Sequence, residues 1–160
     1  MRIPLLAILL VGAPLMAVGT EPEDPAASPE KPPASNADKP KATGPLSAQE
    51  LRFQGDWQAY DVKSSKKSYK MNFKDRDFRA DVGDEWYEGY IAIRTEEEPA
   101  HLDFMIEDCR CGFKGRASTG IFYWDGETIV VSSPAPGDAR PREFKENSGD
   151  MLRLKPEGRD

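Results

Sequence analysis

Cys109 and Cys111 are the only cysteines in the chain, and they stand one residue apart. On a strand, positions i and i+2 project to the same face, so both thiols point the same way. Oxidised, they would close a tight, strained loop whose bond exchanges readily with other thiols. Cys109 and Cys111 are therefore a candidate disulfide and a candidate redox pair. With His101 and Asp108 nearby, a soft-metal site is the competing chemistry. His101 is the only histidine and lies on the same segment, so all the ligands would have to converge from one stretch. No metal site is expected. Glu85, Glu88, Glu107 and Asp108 could pair as acid and base, but charged residues on the wet face of a strand are usually only solvated. Glu96-Glu97-Glu98 precedes Pro99 and lacks the alternating oxygen ligands of a calcium loop. There is no Gly-x-Ser-x-Gly elbow and no Gly-rich phosphate cradle. No catalytic residue and no cofactor are nominated, and the expectation is a protein that is not an enzyme.

The residues that must position any site are strand formers. Tyr69 to Lys74 alternates apolar and polar side chains, and so does Phe78 to Val82. A period of two means strands with one buried and one wet face. Trp86 to Thr95 is a longer strand, with Tyr87, Ile91 and Ile93 on one side. Leu102 to Glu107 follows. Ile121 to Trp124 and Thr128 to Val131 are joined by Asp125-Gly126, a strong hairpin signal. Met151 to Leu154 closes the set. The inward face should carry Tyr69, Met71, Phe73, Phe78, Val82, Ile91, Ile93, Leu102, Phe104, Ile106, Ile121, Tyr123, Ile129 and Val131. Ahead of these strands, Ser47 and Glu50 have capping-box spacing, and Leu46 and Leu51 stand at the positions of a hydrophobic staple. A helix of one or two turns therefore leads through Gly55 into a first strand bearing Trp57. About eight short antiparallel strands suit an up-and-down barrel, whose interior just fits side chains or one small ligand. A sandwich is the competing architecture, but it usually needs Greek-key crossovers.

Composition divides the 160-residue chain. Residues 1–19 read as a secretory signal peptide: Arg2, then an apolar run from Ile3 to Val11, a break at Pro14, and Ala17-Val18-Gly19 before cleavage. A membrane anchor is the weaker reading, because the apolar stretch is shorter than the roughly 20 residues a bilayer requires. Residues 20–46 read as a disordered, Pro-rich linker with no aromatic side chain to bury. Every Phe, Tyr and Trp lies at or after Phe53, so residues 47–160 form the folded domain. The net charge of −6 argues against nucleic acid and against electrostatic attachment to a membrane. The protein is expected outside the cytoplasm, secreted or in the periplasm or cell envelope, with no transmembrane segment in the mature chain.

An ordered series of motifs adds a family resemblance. Gln54-Gly55-Asp56-Trp57 looks like the Gly-x-Trp signature of lipocalins. Gly120-Ile121-Phe122-Tyr123, Asp125-Gly126-Glu127-Thr128-Ile129, Pro136-Gly137, Arg140-Pro141 and Phe144 follow in order. Residues 51–157 thus resemble a family of secreted lipocalin-like domains of planctomycete-type bacteria. The resemblance implies a calycin-type barrel. It further implies that Gly55 and Trp57 form the base, with Arg153 stacked on the indole. A Thr-Asp-Tyr second motif is absent, and Cys109-Arg110-Cys111 is foreign to the pattern. Fold analogy then suggests a pocket for a small apolar or amphipathic ligand, lined by Tyr69, Met71, Phe73, Phe78, Ile91, Ile93, Leu102, Phe104 and Tyr123. The competing expectation is a barrel filled by its own rings, an envelope interaction module whose loops recognise an unspecified protein partner. A thiol-redox role for Cys109 and Cys111 is the third reading.

Overall fold

A computed structural model describes residues 41–146 and 150–158. The signal-peptide segment and residues 20–40 of the linker lie outside the described residues.

One short helix, α1 (Ala48–Phe53), precedes eight strands: β1 (Gly55–Asp61), β2 (Lys67–Lys74), β3 (Asp77–Val82), β4 (Glu85–Arg94), β5 (His101–Cys109), β6 (Ala117–Asp125), β7 (Thr128–Ser132) and β8 (Met151–Pro156). Each strand pairs antiparallel with the next, and β8 pairs with β1, so the sheet closes into an up-and-down barrel with no free edge. Two-residue turns set the register. Asp75-Arg76 joins β2 to β3, Gly83-Asp84 joins β3 to β4, and Gly126-Glu127 joins β6 to β7. The last turn therefore lies one residue beyond the Asp125-Gly126 pair expected at its centre.

At α1, the Ser47 hydroxyl accepts from the Glu50 amide at 3.2 Å, and the Glu50 carboxylate accepts from the Ser47 amide at 2.6 Å. Gly55 then turns the chain into β1 at φ +106°, a backbone conformation open to glycine and costly for other residues. The helix lies across one end of the barrel, here called the base. Phe53 is fully buried there and makes edge-to-face contacts with Phe73, Phe122 and Trp124 at centroid distances of 5.3–5.5 Å. Further up, Phe104 continues the stack against Phe73 and Phe78.

β4 and β5 approach closely. A Cβ at Gly89 would overlap the Met105 carbonyl, and the register shifts by one residue between Glu88 and Gly89. This bulge and the close approach beside it are where a glycine is required.

The outer wall of β5 and β6 is buried too, because the segment after β7 folds back over it. The Gly137 amide donates to the Ala117 carbonyl at 2.9 Å, and Thr119 donates to the Asp138 carbonyl. Asp103, 1 % exposed, lies between two guanidiniums: Arg94 donates to it at 2.9 Å, and Arg140 makes a charge contact at 2.5 Å. Arg140 also donates to the Gly120 carbonyl, tying the returning segment to the strand beneath.

Candidate functional site

The barrel is not uniformly filled. In its upper half, at the end away from α1, a cavity of about 240 Å³ opens to the mouth. Met71, Phe78, Phe104 and Ile106 give it an apolar wall, and Tyr69 and Tyr87 add two phenols. The space exists because small side chains from separate strands line it. Ala80 and Val82 on β3 and Ser118 on β6 replace the rings found near the base. Pro134 and Pro136, on the segment after β7, close one side.

The polar groups of this cavity are mostly committed. Ser118 and Ser133 hydroxyls meet at 2.6 Å, and Ser118 also donates toward the Pro134 carbonyl at 2.6 Å. The Tyr87 hydroxyl donates to Glu85 at 3.1 Å. The Tyr69 hydroxyl has no hydrogen-bond partner among the described residues. Burial pushes the Tyr69 phenol well above its ordinary pKa, and the neighbouring Tyr87 adds to the shift. Tyr87 is raised as well, by burial first and then by its hydrogen bond to Glu85. Both remain protonated donors through the physiological range.

The expected lining residues divide into three groups. Tyr69, Met71, Phe78 and Phe104 border the cavity. Phe73, Ile91 and Leu102 are buried in the packed core, and Ile93 lies partly buried against it. Tyr123 does not face inward: it is 43 % exposed and stands edge-on to Phe144 at 4.8 Å. Phe122 and Trp124 are the core-facing residues of β6, so Ile121 and Tyr123, at the alternate positions, belong to the outer face.

The base also differs from expectation in one residue. Trp57 is 1 % exposed, and its indole N–H donates to the Phe53 carbonyl at 2.7 Å. Arg153 does not stack on it. Leu154 points inward, so Arg153 points outward, where it pairs with Asp125 and donates to Thr128. At the base, the cation over an indole is Arg52, 3.6 Å from the centroid of Trp124, and Trp124 in turn packs against Trp57.

Arg76 and Glu50 pin the base from the side. The guanidinium Nε donates to the Glu50 carboxylate at 2.6 Å, and its other nitrogens donate to the Ala42, Gly44 and Pro45 carbonyls. Burial opposes ionisation of Glu50, but the Arg76 and Ser47 donors outweigh it and hold the carboxyl below its ordinary value. The capping-box spacing pointed to Glu50. Nothing in the spacing pointed to Arg76, because the contact is formed across the barrel base.

Cys109 and Cys111 form a disulfide with a Cα–Cα separation of 5.2 Å. Cys109 pairs across the sheet with Tyr87, so the bond sits at the mouth, beside the cavity wall. His101 occupies the opposite end of β5, roughly 26 Å away at the rise of an extended strand. It contacts Arg94 and lies near Arg140; burial first, then these two cations, lower its pKa. Among the described residues, no three acidic, histidine or cysteine side chains gather to hold a metal.

No helix among the described residues is long and apolar enough to cross a membrane. Comparison with family models, with curated proteins and with solved structures finds no match to this chain.

Proposed function

We propose that this is an exported, non-enzymatic, lipocalin-like module that binds a small apolar or amphipathic molecule in the upper half of its barrel. The observation that carries the reading is the contrast within one interior: packed rings at the base, and an open-mouthed cavity of about 240 Å³ above them. Apolar walls with a few placed polar groups are the usual composition of a small-molecule site. The two serines in the wall hydrogen-bond to each other and to a carbonyl, with no base beside them, which favours binding over acyl transfer. The Arg2–Gly19 segment and the Cys109–Cys111 bond support export to an oxidising compartment. The Gln54-Gly55-Asp56-Trp57 start and the Pro136-Gly137 to Phe144 series support kinship with secreted lipocalin-like domains.

Native mass spectrometry of the protein purified from its own host tests the reading. A non-covalent adduct is expected on the wild type and lost from Ala80→Phe, in which a ring occupies the cavity. An adduct retained by Ala80→Phe, or no adduct on a wild type that also fails to bind any small apolar probe, would contradict it.

A further inference from the structure

The ligand's chemistry can be narrowed, on the premise that the cavity is a binding site. We propose that it takes a small neutral molecule in which an apolar body carries one hydrogen-bond acceptor, a carbonyl, ester or ether oxygen, received by the Tyr69 hydroxyl.

Four hydroxyls border the cavity, on Tyr69, Tyr87, Ser118 and Ser133. The two serine protons are spent on the Ser118–Ser133 contact and on the Pro134 carbonyl. The Tyr87 proton is spent on Glu85. Tyr69 alone offers a proton with no acceptor among the described residues. Tyr69 is only partly buried, so this proton stays free for a ligand oxygen in a cavity whose walls are otherwise apolar.

Charge narrows the class further. No Lys, Arg or His lines the cavity, so a carboxylate or phosphate would be desolvated without a counter-ion. No carboxylate lines the cavity, and Glu85, which accepts from Tyr87, is exposed, so a buried ammonium would have no counter-ion inside. Size sets the last limit. A volume of about 240 Å³ equals the liquid-volume share of about eight water molecules, so the bound part is on the order of ten non-hydrogen atoms.

A matched set of single-ring probes tests this in the folded full chain: acetophenone (neutral acceptor), ethylbenzene (no acceptor), benzoate (anion) and benzylammonium (cation). Affinities are read by NMR titration of wild type and of Tyr69→Phe, with thermal melting as the check on folding. Acetophenone is expected to bind wild type several-fold to about tenfold tighter than ethylbenzene. Both ions are expected to bind at least tenfold more weakly than acetophenone. Tyr69→Phe should bring acetophenone down to the affinity of ethylbenzene. Equal binding of acetophenone and ethylbenzene to wild type, an unchanged ratio in a folded Tyr69→Phe, or preference for either ion would overturn the assignment while leaving the binding site in place. Failure of all four probes to bind would overturn the site itself.

Discussion

The two ends of this barrel share strands, alternation and register, yet one is packed and the other hollow. At the base, Phe53, Trp57, Phe73, Phe122 and Trp124 fill the section, and α1 covers it. At the mouth, β3 presents Ala80 and Val82 and β6 presents Ser118, and the section stays open. Side-chain volume decides the difference, since both ends belong to one closed sheet. Interiors are normally packed to crystal-like density. A packed half thus supports a hollow half: the base stabilises the fold, and the mouth keeps the space that the proposed ligand would occupy.

The base should yield the largest stability losses. Phe53→Ala removes the plug that three rings close around, and a cost of about 3–5 kcal/mol is expected in urea unfolding. A loss below about 1 kcal/mol would show that the base is not the stabilising half. Glu50→Gln leaves the Arg76 guanidinium without its carboxylate in a buried setting, with an expected cost of about 3–5 kcal/mol. The same pair sets an acid limb. Because the folded state holds the Glu50 carboxyl below its ordinary value, its contribution is fully present above the unfolded pKa. It is lost as pH falls through the lowered folded value. Wild type should lose more stability on acidification than Glu50→Gln, and parallel pH profiles would contradict this.

Smaller effects separate the halves more finely. Arg52→Ala should cost about 0.5–2 kcal/mol through the lost contact with Trp124. Arg153→Ala, half-exposed and paired on the surface, should cost no more than about 1 kcal/mol. Reversal of that order by equilibrium unfolding would restore Arg153 as the stacking residue. Ala80→Phe should change stability by less than about 1.5 kcal/mol, since the ring enters existing space, yet it should abolish binding of apolar probes. A large destabilisation there would mean that the mouth is already packed.

Much of the barrel was legible because its strands alternate. Tyr69 to Lys74 and Phe78 to Val82 carry their facing in the period of two, and the Gly83-Asp84 turn is visible in residue types. β6 departs from the expected facing for a physical reason. Ile121-Phe122-Tyr123-Trp124 is apolar at every position, because the returning segment with Arg140 buries much of its outer face, so its phase is silent. For Arg153 the sequence does carry the signal: flanking Leu152 and Leu154 send it outward. The cavity itself was hidden. It depends on which small residues from separate strands line the same space, which is a property of register and not of any one segment. The outer Arg94–Asp103–Arg140 cluster was hidden likewise, since it joins β4, β5 and a distant loop.

Xenon tests the contrast most directly, because apolar space takes it up while packed cores leave it no room. In diffraction from xenon-pressurised crystals, the principal site should lie among Met71, Ala80 and Phe104, with none beside Phe53 or Trp57. A principal site at the base, or an upper barrel that takes up no xenon at all, would contradict the account.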